Sequence, residues 1–468
     1  MSHLLISAAH KSSGKTTISI GLTAALSEQY HVQTFKKGPD YIDPMWLARA
    51  SGRNCYNLDF YTMQKNEIRR TFECNMSEAG IGIIEGNKGL YDGLDLDGSN
   101  SNAALATLLK APVILVIDSR GMTRGIAPLV LGYQNFDHEI NIQGVILNQV
   151  GGSRHESKLR AILEHYTDVT VLGAVHKDPE LSIDERHLGL IPSNEESAAD
   201  KKIRIIGQRI KEQVNLDQLI NISSMATNVK PYKKEPVEST HTNENEISIG
   251  ILRDEAFGFY YPDDLEALKS AGAKLIFINS LKDPHLPEID GLFIGGGFPE
   301  TRMNALRRNI SFMESVKHAV ENNMPVYAEC GGLMYLCRKI EWHGKSVAMV
   351  GAIQADILMH EKPQGRGYIK LEETPGHPWG ATSDSKKLFA HEFHYSQIIN
   401  ITKPYPYAYK VLRGTGIDGK HDGLVYKNLL ANYAHLRNTD DNQWAARFVT
   451  SIRNHKRICS TESNSLSN

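Results

Sequence analysis

Leu4-Leu5-Ile6-Ser7-Ala8-Ala9-His10-Lys11-Ser12-Ser13-Gly14-Lys15-Thr16-Thr17 is the stretch that decides the fold. A short apolar run enters a loop carrying Gly-Lys-Thr, and a helical pattern follows over residues 17–30. A strand, a glycine turn and a helix in that order aim backbone N–H groups and a helix N-terminus at one point, which suits phosphate. In such a loop Lys15 reaches the β/γ oxygens of ATP and the Thr16 hydroxyl helps hold Mg²⁺, with Ser13, Gly14 and Thr17 completing the ATP-binding segment. The match to a full phosphate-loop pattern is incomplete, because Ala9 stands where a first glycine is expected. Lys11 reads equally as a second phosphate contact or as a solvated loop charge.

Further apolar runs lie at residues 32–35, 81–85, 113–118, 144–148 and 171–175, mostly separated by polar or amphipathic segments of crossover length. Buried runs without strict alternation, joined by helices, predict a parallel α/β sheet. Residues 223–246 interrupt the rhythm with Pro, Lys, Glu, Thr and Asn, and are read as an interdomain linker. A second rhythm begins at 247–252 and continues with strand candidates at 274–278, 291–294, 326–328, 347–353, 424–426 and 429–433. The expected architecture is therefore two doubly wound parallel-sheet α/β domains, 1–222 and 247–440. A C-terminal helix and tail, 441–468, follow, frayed from about His455.

Bulk properties narrow the function. A length of 468 residues calls for two to three domains. The formal net charge of −2 supplies no global basic field, so neither nucleic acid nor a membrane surface is expected as a partner. Any anionic substrate must then be met by local cations. The chain enters its first strand without a charged and apolar leader. The five cysteines (Cys55, Cys74, Cys330, Cys337, Cys459) include no CxxC pair. A cytoplasmic enzyme, with a homodimer as its assembly, is the expectation.

Two loops gather charge beside the phosphate loop. Lys36-Lys37-Gly38-Pro39-Asp40-Tyr41-Ile42-Asp43-Pro44 follows the second strand, and Glu85-Gly86-Asn87-Lys88-Gly89-Leu90-Tyr91-Asp92-Gly93 follows the third. Loops at strand C-termini form the ligand crevice of an open α/β sheet. Carboxylates to hold hydrated Mg²⁺ and lysines to offset phosphate are the mixture ATP chemistry requires. Singly, each Asp or Gly is equally well a turn former.

The second half carries Pro325-Val326-Tyr327-Ala328-Glu329-Cys330-Gly331-Gly332-Leu333-Met334. A strand running into Cys330 and out through two glycines into a helix places the thiol at a helix N-terminus, where the dipole favours a thiolate. Gly331 frees a backbone N–H for an oxyanion, and Gly296-Gly297, in a similar strand-then-glycine turn, form the second wall of that hole. Cys55, Cys74 and Cys337 read as packing. His435 is the best candidate base, in competition with His391 and His394. Those two fall one residue short of a His-Glu-x-x-His metal motif, and a structural or substrate-loop role is expected of them.

From Leu4 to Arg437 these segments together resemble the cobyrinate a,c-diamide synthases, a family joining a dethiobiotin-synthetase-like ATP domain to a class I glutamine amidotransferase domain. The resemblance implies that Cys330 attacks the amide of L-glutamine, with His435 as general base and acid. It also implies that the ammonia released displaces phosphate from an acyl phosphate, made by ATP on a carboxylate of a small tetrapyrrole acid. Asp40, Asp43, Glu85 and Asp92 match the family's acidic positions for Mg²⁺ and substrate, with Thr16, Asp40 and Glu85 expected at the metal. Tyr41 and Ile42 match its substrate-positioning segment. Three departures stand out. Arg437 occupies the position two after the histidine where many class I amidotransferases have Glu, so no third member is assigned. Asn87-Lys88 replaces apolar residues in the substrate crevice, and Ala8-Ala9-His10-Lys11 replaces a glycine-rich run. A cobyrinate or hydrogenobyrinate type of substrate is expected, the alternatives being sirohaem or nickel sirohydrochlorin. A P-loop switch ATPase with an inactive partner module is the rival of a different class.

Overall fold

The computed structural model describes residues 1–186, 189–226, 247–380 and 387–466. The chain divides into two compact units, Met1–Glu235 and Pro236–Asn468.

In the first unit seven strands form one parallel sheet: β1 (Ser2–Ala8), β2 (Val32–Lys37), β3 (Cys55–Leu58), β4 (Ile81–Glu85), β5 (Val113–Asp118), β6 (Ile142–Val150) and β7 (Thr170–His176). Their spatial order is β3-β2-β4-β1-β5-β6-β7. The central strand β1 is buried from Leu4 to Ala8, as expected of a strand covered on both faces. One face packs α3 (Lys65–Met76), α4 (Asn102–Leu109), α5 (Ile126–Phe136) and α6 (Ser153–Tyr166) through Ile68, Phe72, Leu105, Val130 and Leu159. Elsewhere α1 (Lys15–Ser27) packs against α2 (Ile42–Ser51) and α7 (Ala199–Gln213), and α8 (Leu216–Ser224) against β1. A two-residue pair, β8 (Glu185–Arg186) and β9 (Gly189–Leu190), completes the unit. Because β2, β4 and β1 are neighbours, the loops leaving their carboxyl ends converge.

The second unit has a nine-stranded sheet. Its parallel part takes the order β11-β10-β12-β13-β22, from β10 (Ile247–Leu252), β11 (Ala273–Ile278), β12 (Gly291–Ile294), β13 (Val326–Glu329) and β22 (Leu429–Asn432). It continues antiparallel through β21 (His421–Tyr426), β20 (Tyr407–Arg413), β17 (Gly365–Glu373) and β18 (Lys387–His394). A four-stranded sheet holds β14 (Cys337–Trp342), β15 (Lys345–Ala348), β16 (Ile353–Met359) and β19 (Ser396–Ile399).

Some boundaries differ from expectation. The run 347–353 is not one strand: Gly351 adopts φ 68°, a left-handed turn that separates β15 from β16. Ser223 and Ser224 belong to α8 rather than to the linker, while 227–246 of the expected linker lie outside the described residues. The last helix, Trp444–Leu466, runs on through the segment read as frayed. Its Trp444, Phe448, Val449 and Ile452 are buried in the core and anchor it.

Candidate functional site

In the first unit the phosphate loop joins the end of β1 to the start of α1. Gly14 has φ 84°, and a Cβ there would stand 2.1 Å from the Asn148 amide, which donates to the Ser13 carbonyl (2.9 Å). Only glycine fits this position. Lys15 is buried, and its ammonium donates to the Lys88 carbonyl (2.7 Å). Burial first, and then the neighbouring Lys36 charge, lower Lys15 to about 8. Thr17 follows in the first turn of α1, and the Ser13 hydroxyl donates to the His10 carbonyl (2.8 Å).

The charged loops meet at Lys36, which the sequence reading did not single out. Parallel register places Lys36 of β2 beside Glu85 of β4. The Lys36 ammonium lies 2.6 Å from Asp43, 2.8 Å from Glu85 and 3.9 Å from Asp40. Burial alone would lower this lysine, but Asp43 and Glu85 outweigh it and hold the ammonium above its ordinary value. The Thr16 hydroxyl donates to Glu85 (2.8 Å) and lies within reach of Asp43 (3.2 Å). Asp40 borders this group through its Oδ2, which faces the Lys36 ammonium. Its Oδ1 accepts the Ile42 N–H (2.8 Å) at the entry to α2, and Asp43 takes the place beside Thr16.

Among the described residues no three His, Cys, Asp or Glu side chains form a metal cage. The donors present nevertheless fit Mg²⁺, which keeps most of its shell as water and phosphate. The Thr16 hydroxyl adjoins Glu85, whose Oε2 is buried with no protein partner. Tyr41 and Ile42 are buried at the start of α2 and offer little surface to a ligand. Lys37, lowered to about 8 mainly by burial, donates to Asn87 (3.1 Å), and Asn102 fixes the 87–89 backbone from both sides. Lys88 is exposed with φ 43°, and Asp92 accepts the Gly89 N–H (2.9 Å), closing that turn.

In the second unit Cys330 sits on the elbow between β13 and α12 (Gly331–Leu336) at φ 44°, ψ −97°. A non-glycine residue there signals strain that the surroundings must hold. Its N–H donates to the Asn432 carbonyl (2.7 Å), which ties the elbow to β22. The surroundings of Cys330 do not favour a lone thiolate. Burial first, and then the Glu300 and Glu329 carboxylates, push the Cys330 thiol up. A proton acceptor is therefore required.

His435 follows β22 and is buried. Its Cε1 packs so close to Gly296 that a Cβ there would stand 2.6 Å away, and a Cβ on Gly331 would stand 2.9 Å from the Gly297 carbonyl. The sequence-predicted Cys330, His435, Gly296, Gly297 and Gly331 thus belong to one site. The imidazole Nδ1 lies 3.2 Å from Glu329 Oε2, a carboxylate that sequence reasoning missed. Arg437, at the position usually held by an acid, is buried elsewhere: it pairs with Asp263 (2.7 Å) and lies over the Tyr261 ring. Asp422 accepts the N–H groups of Tyr433 (3.0 Å) and Ala434 (2.9 Å), fixing the approach to His435. His391 stacks on the His435 ring at 4.8 Å, while His394 stacks on Tyr433 at 3.7 Å. Cys55 and Cys337 are buried, Cys74 is partly so, and Cys459 is exposed.

A phosphate-loop unit and a cysteine-elbow unit on one chain define a nucleotide-dependent glutamine amidotransferase. Residues 5–191 match the CobQ/CobB/MinD/ParA nucleotide binding domain, and residues 248–443 match the CobB/CobQ-like glutamine amidotransferase domain. The cobyrinate a,c-diamide synthase of Magnetococcus marinus is 44% identical, over 95% of this chain and 96% of that protein. The synthase of Methanosarcina acetivorans is 40% identical over 95% and 94% of the two chains, and that of Archaeoglobus fulgidus 38% over 93% and 94%. The chain belongs to the cobyrinate a,c-diamide synthase family, whose members are glutamine-hydrolysing carbon–nitrogen ligases.

Proposed function

We propose that this enzyme converts the a and c side-chain carboxylates of cobyrinate, or of a tetrapyrrole acid of that type, into carboxamides with ATP, Mg²⁺ and glutamine. The observation that carries the reading is Cys330 on its elbow with His435 against Gly296, in a chain that also bears the Lys15–Thr16 loop. The substrate class rests on the names of the relatives.

His435 takes the thiol proton of Cys330 as the sulfur attacks the glutamine amide carbon, and the oxyanion is met by N–H groups of the Gly296–Gly297 and Gly331 turns. Collapse of this adduct expels ammonia, which takes the proton back from His435. Water then hydrolyses the thioester to glutamate. At the first unit an oxygen of the substrate carboxylate attacks the γ-phosphorus of ATP, ADP leaves, and the acyl phosphate loses phosphate to ammonia. Lys15 and Lys37 offset the phosphate charge, and Asp92, Asn87 and Lys88 are read as substrate contacts. Thr16, Glu85 and Asp43 would hold Mg²⁺, which supplies charge neutralisation to the phosphates. The assembly is read as a cytoplasmic homodimer.

The test is mass spectrometry of cobyrinate, hydrogenobyrinate, sirohydrochlorin with and without nickel, and sirohaem, each incubated with enzyme, ATP, Mg²⁺ and glutamine. A gain of two amides on cobyrinate or hydrogenobyrinate is expected. Amidation of sirohaem alone would move the substrate to that branch, and ATP hydrolysis with no amidation would sink the reading.

A further inference from the structure

Glu329 immediately precedes the elbow cysteine, and nothing in its sequence position marks it for a role. Register explains its placement: β13 pairs with β22 so that Glu329 faces Asn432, three residues before His435. The carboxylate is buried and divides its work between two oxygens. Oε1 accepts the Leu436 N–H (3.0 Å) and the Tyr327 hydroxyl (2.5 Å), contacts that any buried acid requires. Oε2 points at His435 Nδ1, 3.2 Å away. A carboxylate accepts only, so this contact requires a proton on Nδ1 and leaves Nε2 with the lone pair a general base needs.

We propose that Glu329 is the positioning carboxylate of the Cys330–His435 pair, supplied from the strand before the nucleophile rather than from the segment after the histidine. This rests on the reading of the second unit as a glutaminase. Glu329 fixes the imidazole tautomer, orients the ring against Gly296 and stabilises the imidazolium once the thiol proton has moved. The same charge opposes a lone thiolate at Cys330, so proton transfer and sulfur attack are coupled. His391 stacks on one face of the ring at 16°, and burial above all lowers its pKa. Arg437, committed to Asp263 and Tyr261, does not take the carboxylate's place.

The experiment compares full-length wild type, E329Q and C330A in glutamine hydrolysis and in ammonia-driven amidation. Histidine ¹⁵N spectra of the wild type and of E329Q accompany it, with the His435 signal assigned by its loss in H435Q. In the wild type His435 is expected as the Nδ1–H tautomer. E329Q should lower kcat for glutamine by about 10²-fold with KM nearly unchanged, shift the His435 tautomer, and leave ammonia-driven amidation intact. A kcat within twofold of wild type would overturn the assignment. So would an Nε2–H tautomer in the wild-type enzyme, a result that does not depend on the variant folding. Glutamine hydrolysis persisting in C330A would instead overturn the underlying glutaminase reading.

Discussion

The two units solve the problem of charge in opposite ways. Around the phosphate loop, Lys36 is buried between Asp43 and Glu85, which offset its charge at close range, and Lys15 and Lys37 are buried nearby. Around Cys330 a single carboxylate stands behind a histidine, and burial pushes the thiol up. The first site awaits phosphates and a metal, ligands that bring large charges of their own. The second awaits a neutral amide, and develops charge only as the reaction proceeds. Stored countercharge suits the former, and stored geometry suits the latter.

Four measurements would test that contrast. Replacing Cys330 with Ala should remove glutamine-dependent amidation by about 10⁴-fold or more while ammonia still serves. Loss of both activities in a folded variant would contradict the separation of the sites. Lys36→Met should destabilise the first unit by about 3–5 kcal/mol, because Asp43 and Glu85 are left buried and unpaired. The urea midpoint reports this, and an unchanged midpoint would show that the charges are not coupled. Lys15→Ala should cost about 10²-fold in ATP-dependent amidation yet leave glutamine hydrolysis measurable; a fully active variant would refute the phosphate-loop role. The smallest effect is a proton count. Free Lys15 and Lys37, each lowered to about 8, are partly deprotonated at pH 8, and phosphate raises them again. Nucleotide binding should then take up protons near pH 8 and progressively fewer as pH falls towards 6. Calorimetry in buffers of different ionisation enthalpy reads the sign, and proton release would be the wrong one.

Much of this was legible in the sequence because it is local. The glycine-lysine-threonine turn, the apolar strand runs and the Cys330 elbow are each contained within about a dozen residues, and each implies its neighbours. What escaped depends on register between distant strands. Lys36 is an ordinary charge in the sequence, and becomes the hub of its site only because β2 lies beside β4. Glu329 lies beside the nucleophile in the chain, yet its partner His435 arrives through a pairing some hundred residues later. Asp40, expected at the metal from the resemblance, gives one oxygen to the turn into α2 and turns the other towards Lys36, a division only the folded loop reveals. The antiparallel extension of the second sheet escaped for a similar reason, since its alternating strands are partly exposed and leave no continuous apolar run.

Lys36 carries a further consequence, one of sequence in time. With its ammonium lodged between Asp43 and Glu85, Lys36 offsets the two carboxylates and leaves little net negative charge to attract a bare divalent ion. A divalent ion would then enter most readily with a nucleotide, whose phosphates supply further oxygen ligands. On the proposed reading, ion and nucleotide would load as one species.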